Sequence, residues 1–185
     1  VIQIGGDFNN AGTFLTGAPV VFTGSGQQNL SGNFTGTNAL GTVLILNPDS
    51  LVLGDDVQLN LLILAGGLLD LNGNELEIMN NSPASINLIS GYIVGEDEAS
   101  KITWQIGTAT GSFVFPFGTH GGLNYIPVTF NVSAAGTGTG EISICTYPTN
   151  SQNLPYPTGV LNMHLQTNGA DQSAGAAARG SRAQP

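Results

Sequence analysis

The sequence predicts an all-β fold in which the coils of a β-solenoid, similar to a β-helix, are followed by a small antiparallel β-sheet. Short runs rich in Val, Ile and Leu recur along the chain, and turn residues separate them every six to ten positions. Helical periodicity is nearly absent. Sets of three short strands also repeat at a near-constant offset, which is the sequence pattern of a solenoid.

The composition excludes several classes of function. Only 8% of the 185 residues are charged, against about 25% in an ordinary soluble domain, and 27 are glycine. Acidic residues outnumber basic ones by 12 to 3, which gives a net charge of -9. Because so few cations cannot neutralise a phosphate backbone or an anionic lipid surface, we expect no nucleic-acid partner and no electrostatic membrane attachment. No run approaches the ~18 apolar residues of a membrane span, so membrane insertion is not expected either.

Residues 1–42 are predicted to form looser coils, with strand-like runs at residues 13–16, 19–22 and 24–30. The clear repeat follows, and its second round begins eighteen residues after the first. The strands of the three rounds are residues 43–46, 51–53 and 57–59; residues 61–64, 69–71 and, with a one-residue slip, 76–78; and residues 86–89, 92–94 and 102–104. Stacking of such rounds buries Leu, Ile and Val inward.

In a Leu-x-Leu triplet, two side chains face inward and one faces outward. Gln58, Asp70, Glu77 and Asn87 are therefore expected on the outside of the coils. A β-sandwich is the alternative fold, because Asn72-Gly73 between two alternating runs is also a hairpin signal. The constant offset of the repeat favours the solenoid.

The character of the sequence changes after residue 107. Residues 112–117 and 125–132 are aromatic, proline-bearing strands, and residues 141–147 alternate regularly. We predict β-solenoid repeats over residues 1–107, a small antiparallel β module over 108–165, and a disordered tail or cloning remnant over 166–185. The single cysteine, Cys145, excludes an internal disulfide and is predicted to be a small strand residue.

Three segments resemble large secreted or cell-surface proteins of Bacteroidetes bacteria. They are Val20-Val-Phe-Thr-Gly-Ser-Gly-Gln-Gln-Asn-Leu-Ser-Gly32, Leu68-Leu-Asp-Leu-Asn-Gly-Asn-Glu-Leu-Glu-Ile78, and Gly111-Ser-Phe-Val-Phe-Pro-Phe-Gly118 followed by Tyr125-Ile-Pro-Val128. Those proteins are adhesin-like, repetitive and β-rich. The resemblance covers about residues 18–165 and implies a fragment of a longer protein located outside the cell or at its surface. It identifies no catalytic residue.

One dense acidic cluster, residues 95–98, is the main candidate for chemistry. Asp97 and Glu98 are candidate ligands for calcium, which favours carboxylate and carbonyl oxygens from a flexible loop. Glu96, Asp97 and Glu98, with His120 or Tyr125, are also candidate catalytic residues for the cleavage of glycosidic bonds. The simplest interpretation is a solvated turn, with Lys101 three residues beyond it. The sequence indicates no cofactor other than calcium.

Aromatic side chains are the second candidate feature. Tyr92, Trp104 and Tyr125 are candidate stacking platforms for sugar rings, although core packing is the competing role for Trp104. The expected function is a structural or adhesive module that contacts glycans or other surface proteins; the alternative is a carbohydrate-active enzyme, such as a glycoside hydrolase or a polysaccharide-degrading β-helix. Uncapped edge strands also predict self-association.

Overall fold

The computed structural model describes residues 1–96, 99–121, 124–138, 140–147 and 162–166. These residues form fourteen strands and one short 3-10 helix, Gly36–Asn38. The strands are β1 (Ile2–Ile4), β2 (Phe8–Asn10), β3 (Val20–Phe22), β4 (Gln28–Gly32), β5 (Leu40–Ile45), β6 (Ser50–Leu53), β7 (Val57–Asp70), β8 (Glu75–Ile78), β9 (Ile86–Val94), β10 (Lys101–Gln105), β11 (Gly111–Phe115), β12 (Val128–Val132), β13 (Glu141–Tyr147) and β14 (Asn162–Gln166).

Parallel strands stack in three columns to form a β-solenoid of about four turns, which confirms the predicted fold class. Face A consists of β1, β3, β5, residues 61–64 of β7 and residues 86–90 of β9. Face B consists of β2, β4, β6, residues 68–70 of β7 and residues 92–94 of β9. Face C consists of Phe34, residues 57–59 of β7, β8 and β10.

The repeat seen in the sequence corresponds to the stacking of the coils. Leu51 pairs with Leu69, at the predicted offset, and Val57 pairs with Leu76, with the predicted slip. On face A, the partner of Val43 is Leu62, one residue beyond the predicted position. The strand that was predicted in three pieces at residues 57–59, 61–64 and 69–71 is one strand, β7, that bends through two corners.

The β-sandwich alternative is wrong. Asn72 and Gly73 do form a turn with positive φ (47° and 81°), but the strands on either side of it belong to different faces. The side-chain amide Nδ2 of Asn72 donates to the carbonyl oxygen of Leu53 in the preceding coil, at 3.1 Å. The turn therefore joins two faces of one coil and stacks on the coil before it.

One hydrophobic core runs through the described coils. Inward residues such as Phe22, Ile45, Leu62 and Ile102 are at most 1% exposed. The four polar residues predicted to face outward are all partly or fully exposed: Gln58, Asp70, Glu77 and Asn87. In the strands that carry these four residues, alternation thus places the polar side chains outside the core as predicted.

Strand pairing becomes antiparallel after β10. β13 pairs with β10, β14 pairs with β13, and β11 and β12 form a separate two-stranded sheet, so the predicted small antiparallel sheet is confirmed. Phe113, Phe115 and Phe117 join the same core as the coils, and the division into separate modules near residue 107 stays a prediction. β14 extends to Gln166, the first residue of the predicted tail, and residues 167–185 lie outside the described residues.

Cys145 is a buried residue of β13, as predicted for a small strand residue. Within the described ranges, no helix has the length and apolarity needed to cross a membrane.

Candidate functional site

Three rungs of face B bring their ends together at one corner of the solenoid. Asp70, the last residue of β7, pairs with Val94 of β9. Ile93 in turn forms a parallel bridge with Phe117. The residues that follow these pairs, Glu96 after β9 and His120 after the bridge, therefore lie beside Asp70.

His120 contacts both carboxylates. Its Nε2 atom lies 3.5 Å from Oδ2 of Asp70 and 3.9 Å from Oε2 of Glu96. The imidazole is 57% exposed, whereas the side chains of Asp70 and Glu96 are 16% and 15% exposed. We call these three residues the corner cluster. Its partly buried acceptors and its exposed imidazole suit a ligand that approaches from solvent.

Two tyrosines flank the corner cluster through Gly118. The ring of Tyr92 packs on Gly118 so closely that no side chain would fit there. Tyr125 forms an antiparallel bridge with Gly118 and is 50% exposed. Partial burial raises the pKa of the Tyr125 phenol above its ordinary value of about 10 by desolvation. Tyr92 and Tyr125, two of the three predicted stacking residues, thus both contact Gly118, which lies two residues before His120.

Trp104 is not an exposed platform, so the prediction that it stacks on a sugar is wrong and the core alternative is confirmed. Its side chain is 0% exposed and packs edge-on against Phe113 and Phe115, with ring centroids 5.1 and 5.3 Å away. Its Nε1 donates to the carbonyl oxygen of Asn80 at 3.0 Å. The indole is held inside by both aromatic packing and a satisfied hydrogen bond.

The predicted acidic cluster is only partly described. Glu96 and His120 are brought together, as the catalytic hypothesis requires, while Asp97 and Glu98 lie outside the described residues. Among the residues that are described, no group of three or more His, Cys, Asp or Glu side chains has an arrangement that would hold a metal ion. Calcium binding by Asp97 and Glu98 therefore stays a prediction.

Lys101 does not pair with the described part of the acidic turn. Its Nζ lies 3.1 Å from Oε2 of Glu75, on the outer side of face C. Glu75 also accepts a hydrogen bond from Thr103, whose hydroxyl contacts Ser143 at 2.7 Å. The lysine belongs to a polar row across β8, β10 and β13.

The role of Asp70 was missed at the sequence level, where it was predicted only to face outward. Asp70, Glu96 and His120 are distant in the chain and share no motif. The available signal was the stacking of coils, since a residue that ends a strand in one coil lies beside the end of the corresponding strand in the next.

Comparison of the chain with protein-family models, curated proteins and solved structures finds no match.

Proposed function

We propose that this chain is a structural and adhesive module of a secreted or cell-surface bacterial protein, and that the corner cluster is its point of contact with glycans. The observation that carries the proposal is the convergence of two carboxylates and an imidazole two residues after Gly118, which pairs through its backbone with the half-exposed Tyr125. Carboxylates and imidazoles bond well to sugar hydroxyls, and the apolar face of a sugar ring packs on an aromatic side chain.

The scaffold supports an adhesive role because Asp70 lies on a stacked strand and Glu96 follows β9 by two residues. Asp70 ends a fourteen-residue strand that pairs with neighbours through all three faces. A site on regular elements keeps its geometry better than one on loops alone, which lowers the entropy lost on binding.

The proposal is tested by measuring the binding of a panel of neutral and acidic oligosaccharides to Asp70→Asn, Glu96→Gln and Tyr125→Ala. Loss of one charged hydrogen-bond partner is expected to weaken binding by about tenfold or more. Asp49→Asn is the matched control, since Asp49 is exposed. Equal binding by all four variants would remove the corner cluster as a glycan site.

A glycosidic-bond hydrolase is the second candidate, favoured by one observation: two carboxylates, Asp70 and Glu96, lie against the same imidazole. Glycosidases use one carboxyl group as the acid and a second as base or nucleophile. Polysaccharide cleavage would be assayed for Asp70→Asn and Glu96→Gln, together with Asp97→Asn and Glu98→Gln. Cleavage that disappears while binding persists would indicate an enzyme; cleavage unchanged in all four would exclude these carboxylates from catalysis.

Calcium binding by Asp97 and Glu98 has a separate test. Removing calcium with EDTA is expected to lower the melting temperature, because an ion that binds only the folded state stabilises it. The double variant Asp97→Asn, Glu98→Gln should then melt at the same temperature with and without EDTA. A wild-type protein that is insensitive to EDTA would contradict calcium binding.

A further inference from the structure

The last strand of face A has an open edge. Within face A, β3, β5 and β7 each pair with a parallel strand along both of their edges. Among the described residues, residues 86–90 of β9 pair along one edge only, with β7. On face B, the corresponding edge is covered, because the amide of Gly118 donates to the carbonyl oxygen of Ile93. On face C, β13 covers β10. Among the residues that the structure describes, face A is thus the one face whose last strand has no neighbour at this end.

The register of β9 shows which backbone groups face the open edge. The amide of Leu62 donates to the carbonyl oxygen of Ser85, and Leu62 lies opposite Ile86. In a parallel pair, alternate residues turn their amide and carbonyl groups to the same side. Asn87 therefore bonds toward β7, whereas Ile86 and Leu88 direct their backbone groups toward the open edge.

A groove of about 390 Å³ lies along this edge, between β9 and the end of β11. Its lining is mainly apolar and contains no charged side chain among the described residues: Ala84, Ile86, Asn87, Leu88, Val114 and Pro116. Val114 is 36% exposed, so the groove is accessible from solvent. The site thus combines unpaired strand backbone with an uncharged, mainly aliphatic wall.

We propose that an extended peptide segment of a partner protein docks in this groove as the next strand of face A. Backbone groups of Ile86 and Leu88 would bond to it, and its alternate side chains would contact the aliphatic wall, as in β-strand addition. The chain's net charge of -9 favours a partner segment without acidic residues and with basic residues at its ends. The same charge opposes a second copy of this chain.

The test uses a fluorescent synthetic peptide, Lys-Val-Thr-Val-Thr-Val-Lys, with binding followed by anisotropy. Leu88→Pro removes an amide that faces the groove together with a leucine side chain that packs against the core, so circular dichroism first establishes that the variant is folded. Val114→Trp fills the groove from the β11 side without altering β9. We expect the wild type to bind, and each variant to lose affinity by about tenfold or more.

Gln3→Pro is the matched control. Ile2 and Ile4 bond toward β3, so Gln3 directs its amide to the other free edge of face A, at the opposite end of the solenoid. Retained binding by Gln3→Pro, with loss in Val114→Trp, would support the groove.

Three results of the peptide assay would overturn the proposal. They are a wild type that does not bind the peptide, binding lost only in Gln3→Pro, and binding unaffected by Val114→Trp. Peptide-independent dimers that Val114→Trp dissociates would overturn it in favour of a second copy of the chain as the occupant.

Discussion

At the scale of single residues, Trp104 is an aromatic side chain that packs in the core and is not exposed to a ligand. Replacing it by Ala removes a fully buried indole that touches Phe113 and Phe115. We expect Trp104→Ala to lower the free energy of unfolding by about 3–5 kcal/mol, measured by urea denaturation with circular dichroism. Tyr125→Ala is the control, expected to cost at most about 1 kcal/mol because the tyrosine is 50% exposed. Equal losses for the two variants would contradict the placement of Trp104 in the core.

Tyr125 should titrate above its ordinary pKa. Desolvation disfavours the charged phenolate, so the neutral form is favoured in the folded protein. The associated stabilisation is present below the unfolded pKa of about 10 and is lost as the pH rises through the folded pKa. The measurement is the ultraviolet absorbance of phenolate in the wild type minus that in Tyr125→Phe. A difference titration centred at or below pH 10 would contradict the prediction.

Residue burial could be predicted from alternation only where one side of a strand is uncovered. In residues 102–104, Ile102, Thr103 and Trp104 are all buried, because polar side chains cover the outer side of β10. Thr103 satisfies its hydroxyl through Glu75 and Ser143. The sequence of this strand alternates between apolar and polar residues, and such a pattern does not show that neighbouring strands cover its outer side as well.

At the scale of elements, the corner between faces A and B depends on glycine. Gly91 has φ +90°, and a Cβ there would collide with the backbone carbonyl of Gly67 in the preceding coil. Gly73 has a similar φ of +81°, yet a Cβ there meets nothing within 4 Å. The two glycines therefore have similar φ angles, but only Gly91 is closely approached by the backbone of the preceding coil.

This pair makes a matched prediction for the stacking of coils. Gly73→Ala should cost about 1–2 kcal/mol for its backbone strain alone. Gly91→Ala should cost more than about 3 kcal/mol, because strain is joined by a collision between backbones. Chemical denaturation of both variants measures the difference. Equal destabilisation would show that the coils are not in contact at Gly67 and Gly91.

The positions of corners were harder to predict than the repeat itself. Matching apolar triplets identified which residues stack, because inward side chains must recur in every coil. Whether a corner breaks a strand depends on local backbone, and Gly66 and Gly67 let β7 bend without ending. At an earlier corner, buried Gln28 and Asn47 bond to one another and to loop carbonyls instead. Because equivalent corners are built in two different ways, no single sequence pattern predicts where a corner lies.

At the scale of the whole molecule, several of the few charged side chains have a structural role. Several acids bond to backbone amides of adjacent coils: Asp7 to Asn29, Asp55 to Gly32 and Asp56 to Glu75. These carboxylates satisfy amides at or near the ends of strands β4 and β8. They are therefore part of the stacking of coils. In the corner cluster, Asp70 also accepts a hydrogen bond from a backbone amide, that of Asn72, but Asp70 and Glu96 additionally lie against an exposed imidazole.

The unbroken core predicts that the coils unfold together. Phe22 lies in β3, near the start of the solenoid, and Trp104 lies in β10, near its end. Both side chains are 0% exposed and belong to one hydrophobic cluster. Solenoids can unfold coil by coil, but only when the interfaces between coils are weak relative to the coils themselves. Here β7 alone contributes to all three faces and pairs with β5, β6, β8 and β9, so one coil cannot leave without disrupting its neighbours.

The single tryptophan makes this prediction measurable, since its fluorescence reports on the far end of the solenoid. Phe22→Ala should cost about 3–5 kcal/mol and should shift the urea midpoint of Trp104 fluorescence as far as that of circular dichroism. Gln3→Ala, at an exposed position of β1, should shift neither midpoint. If Phe22→Ala moved the circular dichroism transition and left the fluorescence midpoint unchanged, the first coils would unfold independently. The core would then consist of two cooperative units. In that case β7 would not couple the coil that contains Phe22 to the coil that contains Trp104.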